Sequence, residues 1–170
     1  MLARNETILK WALYGAAAAL CLFVQSALLQ RITIWGVIPF LYPLLAAIPA
    51  TYEQPVFGTV FSLCIGIVCD SLLPGAFPCL YTLTFPFAGL CAALISKSLL
   101  SAGFLCSLTG TAISFLITDG FRCFLLWISG TPAWRVGLGV MLREFLISAP
   151  LIFPVTALFQ LVHRKAHIND

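Results

Sequence analysis

The chain consists of long uncharged stretches separated by one or a few charged residues. Six stretches stand out, at residues 11–30, 32–52, 54–69, 71–96, 98–118 and 145–163. A membrane-spanning helix needs about 20 predominantly apolar residues, a length that these stretches reach or approach. We therefore predict an all-α integral membrane protein in which residues 1–170 form one polytopic domain, a bundle of about six transmembrane helices.

The approximate bounds of the expected helices follow from the charges and the turn signals. They are residues 8–30, 37–52, 54–72, 78–96, 98–128 and 134–163. The second helix carries Pro39, Pro43 and Pro49, and because proline removes a backbone donor, we expect this span to kink or to start late. Between Asp119 and Glu144, two apolar pieces either extend the last two helices beyond the hydrocarbon or lie along the interface.

Composition supports a membrane location. Hydrophobic residues make up 61% of the chain and charged residues only 9%, whereas soluble domains have about 45–50% and about 25%. So few charges cannot cover the surface of a soluble globule. A net charge of +3, spread along the chain, is also too small for a nucleic-acid surface, so we expect no nucleic-acid partner.

The basic residues indicate an orientation. Six crossings would put both termini on one side of the membrane. That side would collect Arg4, Lys10, Lys97, Arg164 and Lys165. Because Lys and Arg gather in short cytoplasmic loops, both termini are expected in the cytoplasm.

Small residues recur at helical spacing in two of the expected helices. They are Gly58, Ser62 and Gly66 in the third helix, and Gly103, Ser107, Gly110 and Ser114 in the fifth. Small side chains allow neighbouring backbones to approach closely in a membrane. Both stripes are therefore predicted to be helix-packing faces, and the next four-residue step along the third helix reaches Asp70.

Charged residues at membrane depth predict an interaction or structural polar cluster. Its members are Asp70, Asp119, Arg122, Arg143 and Glu144. Each of them is costly in lipid without a partner or water, and in a six-helix topology all lie toward the outer side. We expect Arg143 or Arg122 to pair with Asp70. The alternative is that these charges reach the headgroups individually, without specific pairing.

Candidate chemistry is otherwise sparse. His163 and His167 have a spacing that metal sites use, but no cysteine and only Asp170 among the carboxylates lies nearby. The seven cysteines contain no Cys-x-x-Cys pair and read as packing residues. No motif of a phosphate loop, serine nucleophile or zinc protease occurs. We expect no catalytic, cofactor-binding or metal-binding residue, no cofactor and no enzymatic activity.

Two segments resemble a known family. Residues 29–39 read LQRITIWGVIP, and residues 64–71 read CIGIVCDS. Together with the length and the helix number, these segments resemble the bacterial rod shape-determining protein MreD family. The matching positions are Gln30 after the first helix, Pro39 before the second, and Gly66 with Asp70 at the end of the third.

The resemblance implies a non-enzymatic scaffold of the bacterial cell elongation machinery, involved in cell-shape regulation and in organising side-wall peptidoglycan synthesis. It implies a multi-pass protein of the bacterial cytoplasmic (inner) membrane. Besides the lipid bilayer, the implied partners are an MreC-like bitopic protein and, through it, actin-like MreB and the wall synthases.

A second class of protein has a similar size and the same number of helices. It is the substrate-binding membrane subunit of an energy-coupling-factor vitamin transporter. Ala12, Ala16 and Ala19 could dock such a subunit on a coupling protein, although alanine at this spacing is also ordinary packing. Tryptophans near the outer side could stack on a flat ligand or anchor the interface. A bound vitamin would distinguish this reading from the scaffold.

Overall fold

The computed structural model describes residues 2–73, 77–98, 101, 103–130 and 134–167, without the side chains of residues 2–7, 134–135 and 166–167. Within these ranges the protein is all-helical and has no strand. The helices are α1 Leu2–Ala27, α2 Tyr42–Tyr52, α3 Pro55–Leu72, α4 Leu80–Ser98, α5 Phe104–Ile128 and α6 Trp134–His167, with a 3₁₀ turn at Leu29–Arg31.

Five helical segments are long and apolar enough to cross a membrane. They are Ile8–Arg31, Pro55–Leu72, Leu80–Ser98, Phe104–Ile128 and Val136–Lys165. The chain is therefore a helical, multi-pass membrane protein. The exception is α2, whose 11 residues give a helix of only about 16 Å.

α2 occupies the centre of the bundle. Leu44, Leu45 and Ile48 are completely buried, and ten of its residues, Tyr42 through Thr51, are buried. α3, α4, α5 and α6 all pack against it. A helix that is apolar on every side belongs in a core rather than at a surface, so this short segment forms the middle of the structure.

α2 starts later than the expected helix at residues 37–52, at Tyr42. Residues 32–41, which we call the lead-in segment, are not helical. Pro39 disfavours a helical conformation at the residue before it, and Pro43 occupies the first turn of α2, where a missing backbone donor costs little. The lead-in segment begins with a tight turn in which Ile34 and Val37 exchange both backbone hydrogen bonds, at 2.9 and 3.0 Å.

Side chains of two other helices satisfy the lead-in backbone. The amide of Gln25 in α1 donates from Nε2 to the carbonyl of Pro39, at 3.0 Å, and accepts from the Leu41 N–H at 2.8 Å. The Phe40 N–H donates to Oγ of Ser148 in α6, at 2.8 Å. Non-helical backbone is tolerated at membrane depth only where protein or water satisfies its polar groups. Gln25 and Ser148 therefore supply the hydrogen bonds that a helix would have made internally.

The apolar pieces between Asp119 and Glu144 belong to the ends of α5 and α6. α5 continues to Ile128, and α6 begins at Trp134. At 34 residues, α6 is about 51 Å long, well beyond the roughly 30 Å of a hydrocarbon core. Of the two alternatives that the sequence left open, the structure therefore has the one in which these pieces extend the last two helices. At the other end of α5, the helix starts at Phe104, later than the expected residue 98.

The stripe in α3 packs into the groove between α2 and α4. A Cβ atom on Gly58 would lie 2.9 Å from the Ala50 Cα, and one on Gly66 would lie 2.6 Å from the Tyr81 carbonyl oxygen. Ser62 donates to the Ala46 carbonyl at 2.6 Å and to its own helix at 2.8 Å. Each small residue thus sits where a larger side chain would separate two helices.

The stripe in α5 divides into two parts. Ser107, Gly110 and Ser114 are buried, and a Cβ atom on Gly110 would lie 3.1 Å from the Ala92 Cβ of α4. Gly103 instead lies at the N-cap of α5, where the nearest atom to an added Cβ is 3.8 Å away. Gly103 therefore contributes no close helix contact within the described part of the chain.

Candidate functional site

Asp70 joins α3 to α4. Its carboxylate accepts from the Tyr81 N–H at 3.2 Å, from the Thr82 N–H at 2.7 Å and from the Thr82 hydroxyl at 2.6 Å. The first N–H groups of a helix have no partner inside the helix, and a negative charge beside them is favourable. Asp70 thus acts as an N-cap of α4 that is provided by the preceding helix.

Gly66 lies one turn before Asp70 and allows this contact. The Tyr81 carbonyl and the Thr82 Cα would both lie within 3.0 Å of a Cβ atom at this position. Only glycine leaves the space that brings the start of α4 under the Asp70 carboxylate. We call Gly66, Asp70, Tyr81 and Thr82 the α3–α4 joint.

The structure does not have the expected ion pair between Asp70 and Arg122 or Arg143. The carboxylate of Asp70 is directed to the backbone of α4, and no cation among the described side chains lies within 4.0 Å of it. Arg143 is exposed and makes no ion pair with the described residues. Neither Asp70 nor Arg143 therefore makes the expected ion pair with a described residue.

Asp119 and Arg122 come together at a cavity between α5 and α6. The cavity has a volume of about 190 Å³, and its walls include Cys123, Val136 and Met141. Asp119 is only 7% exposed, and its Oδ2 atom has no hydrogen-bond partner among the described residues. We call this space the Asp119 cavity.

Glu144 lies close to the Asp119 cavity. It follows the cavity-lining Val140 by one turn of α6, and its carboxyl group is near enough to feel the charges of Asp119 and Arg122. Three of the five residues predicted as a polar cluster are therefore neighbours. They comprise two carboxyl groups and one guanidinium group.

A second cavity lies beneath the lead-in segment. It has a volume of about 300 Å³ and is lined by Gln25, Gln30, Tyr42 and Glu144, together with apolar residues of the lead-in segment and of α6. Val140 lies between this cavity and the Asp119 cavity, because it lines both spaces. This end of the bundle is therefore less densely filled than its centre.

The opposite end of the bundle holds an ion cluster that sequence reasoning missed. Lys10 Nζ contacts Glu53 Oε2 at 2.9 Å, and His163 Nδ1 lies 3.7 Å from Glu53 Oε1. The Tyr14 hydroxyl lies 3.2 Å from His163 Nδ1, and the Tyr52 ring packs on the imidazole at a centroid distance of 5.5 Å. These five residues, which we call the Glu53 cluster, tie α1, the α2–α3 connection and α6 together.

A row of hydroxyl groups on α5 lies between the two ends. Ser107, Thr111, Ser114 and Thr118 are buried, and none of their hydroxyl oxygens has a hydrogen-bond partner among the described residues. The Tyr52 hydroxyl of the Glu53 cluster lies near the Ser107 hydroxyl, but the two groups do not form a hydrogen bond. The small-residue pattern predicts that Ser107 and Ser114 serve helix packing. Together with Thr111 and Thr118 they follow three- and four-residue steps, which indicates that this face of α5 is also polar.

The chain has no counterpart among the proteins compared with it. Searches of family models, curated proteins and solved structures find no match. Within the described residues, no group of three or more His, Cys, Asp or Glu side chains is arranged to hold a metal ion.

Proposed function

We propose that this multi-pass membrane protein is a non-enzymatic scaffold of the bacterial cell elongation machinery. It would take part in cell-shape regulation and in organising side-wall peptidoglycan synthesis. The observation that carries the proposal is the α3–α4 joint. Gly66 and Asp70 are positions on which the resemblance to the MreD family rests, and in the structure they connect two helices rather than line a reaction site.

A solid core also favours a scaffold. The side chains of α2 fill the centre of the bundle, and Tyr14, Phe85 and Phe159 are completely buried around it. A protein that presents surfaces to partners needs a rigid bundle and no central chamber. In this proposal the partners are the lipid bilayer, an MreC-like bitopic protein and, through that protein, actin-like MreB and the wall synthases.

The proposal includes six membrane crossings. Lys10 near the start of the first span contacts Glu53 directly after α2, so the chain returns to the same end of the bundle. About 13 Å of extended chain at residues 38–41 and about 16 Å of α2 together cover roughly the 30 Å of a hydrocarbon core. The second crossing is thus half extended and half helical. Both termini would face the cytoplasm of a bacterial cell, with the protein in its cytoplasmic (inner) membrane.

The proposal is tested by depleting the protein in its native bacterium and re-expressing variants. We expect depleted cells to become round and to lose the localisation of new side-wall synthesis, as seen with a fluorescent wall precursor. The Asp70→Ala variant should fail to restore rod shape, because α4 loses its N-cap. Ser71→Ala is the matched control, because the Ser71 hydroxyl is exposed and bonds only to its own helix. Normal shape after depletion would contradict the proposal.

The second candidate function is a substrate-binding subunit of an energy-coupling-factor vitamin transporter. Two observations favour it: the cavity of about 300 Å³ beneath the lead-in segment, and the exposure of Ala12, Ala16 and Ala19 on α1. Such a subunit would retain a vitamin through purification. Depleted cells would then keep their shape and show a growth defect that added vitamin relieves.

A further inference from the structure

The Asp119 cavity lies toward the C-terminal end of α5. α5 begins at Phe104, and at 1.5 Å per residue Arg122 lies about 27 Å further along the helix. The hydrocarbon core is about 30 Å thick, so with Phe104 at one of its surfaces Arg122 would come close to the opposite headgroups, and Asp119 would lie about one turn deeper. Arg122 and Val136 are exposed at the mouth of the cavity, and Asp119 is buried in its wall.

The charges in and around the cavity are unbalanced. The carboxyl groups of Asp119 and Glu144 face a single guanidinium group, that of Arg122. The buried Asp119 Oδ2 has no hydrogen-bond donor, and Arg122 is not within ion-pair distance of it among the described contacts. A buried carboxyl group without a hydrogen-bond or ion-pair partner among the described residues is costly, and Asp119 lines the cavity, so the site favours a ligand that brings a cationic donor.

We propose that the Asp119 cavity binds the headgroup of a zwitterionic phospholipid that carries a primary ammonium group, such as phosphatidylethanolamine. The ammonium group donates to the Asp119 carboxyl group, which lines the cavity. The phosphate contacts Arg122 at the headgroup level, because guanidinium groups bind phosphate oxygens well. This binding site does not depend on the proposed scaffold function.

The chemistry of the cavity distinguishes this headgroup from other membrane lipids. A primary ammonium has three N–H donors, whereas the quaternary ammonium of phosphatidylcholine has none to offer Asp119. Phosphatidylglycerol brings no cation and would add a negative charge to a site that already holds two carboxyl groups. A divalent metal ion would need several more oxygen ligands than the apolar wall of Val136, Val140 and Met141 provides.

The experiment is native mass spectrometry of the delipidated full-length protein titrated with phosphatidylethanolamine, phosphatidylcholine and phosphatidylglycerol of identical acyl chains. We expect phosphatidylethanolamine to bind about tenfold more tightly than the other two, the effect of one hydrogen bond to a charged group. Asp119→Asn should remove this preference, whereas Arg122→Gln should weaken the binding of all three lipids together, because they share the phosphate. Arg143→Gln is the control, because Arg143 is exposed at the same end of the bundle and does not line the cavity.

Three results would overturn the inference. Equal binding of the three lipids by the unmodified protein would do so without any variant, and this comparison does not require the variants to fold. A preference that survives in Asp119→Asn would place the lipid elsewhere. Soluble phosphoethanolamine is the fourth titrant: if it binds as tightly as the lipid, the ligand is a soluble molecule with the same headgroup, and the lipid assignment is wrong.

Discussion

The α3–α4 joint and the Asp119 cavity use an aspartate in opposite ways. Asp70 is half-exposed, yet three donors of α4 surround its carboxylate. Asp119 is almost fully buried, yet one of its oxygens has no donor among the described residues. Burial alone therefore does not show what an acid in a membrane protein does. The number of donors that the fold directs at it separates a structural acid from one that is open to a ligand.

The largest effect should come from closing the space inside the joint. A valine at Gly66 would place its Cβ 2.6 Å from the Tyr81 carbonyl oxygen, a backbone atom that cannot move aside alone. We expect Gly66→Val to lower the free energy of unfolding by about 3 kcal/mol or more, as severe overpacking does. The measurement is thermal unfolding of the purified protein in detergent, followed by circular dichroism.

Gly120→Ala is the matched control for this substitution. Gly120 lies inside α5, and an added Cβ would meet nothing within 4 Å. Alanine is the better helix former, so this variant should be as stable as the unmodified protein or more stable by about 0.5–1 kcal/mol. Equal losses in the two glycine variants would mean that the joint is not a close contact.

A smaller loss is expected when the carboxylate of the joint is removed. Asp70→Ala leaves the N–H groups of Tyr81 and Thr82 without their acceptor. Loss of an N-cap and of a charged hydrogen bond should cost about 2 kcal/mol. Chemical denaturation in mixed micelles would measure it, and amide exchange should accelerate first in the opening turn of α4. Unchanged amide exchange in the first turn of α4 would show that Asp70 does not cap this helix.

The smallest effect is expected at the cavity. Asp119→Asn removes a buried charge whose Oδ2 has no donor within the described structure, so stability in lipid-free detergent should change by less than about 1 kcal/mol in either direction. Phosphatidylethanolamine should raise the melting temperature of the unmodified protein but not that of this variant. A loss as large as that of Asp70→Ala would show that both acids are structural, which would remove the contrast between them.

Sequence patterns predict the long helices well, because each long helix needs only an uncharged run with a stop at both ends. α3 runs from Pro55 to Leu72, against an expected 54–72, because Pro55 favours a helix start and the sequence Leu73-Pro74-Gly75 signals a helix end. The lead-in segment was harder to predict. Its prolines indicated a break, but its extended shape depends on Gln25 and Ser148, which are far away in the sequence.

The candidate site was only partly predictable for a similar reason. Asp119 and Arg122 are three residues apart on one helix, so their proximity follows from helical geometry. The partner of Asp70 is a set of backbone N–H groups, which leave no mark in the sequence. The Glu53 cluster joins Lys10 to a residue 43 positions later and Tyr14 to one 149 positions later. The sequence could have suggested the Glu53 cluster only through a six-crossing topology, which places Lys10, Glu53 and the end of the last helix on the same side of the membrane.

The hydrogen bond from Phe40 to Ser148 has a consequence for how the protein is made. Its two ends are separated by 108 residues, so a ribosome that adds about 5–20 residues per second needs on the order of ten seconds to produce the acceptor after the donor. During that time residues 32–52 combine a helix too short to span a membrane with polar, non-helical backbone, so they cannot settle in lipid by themselves. The growing chain must therefore keep residues 32–52 beside the insertion machinery or in water until the last helix arrives.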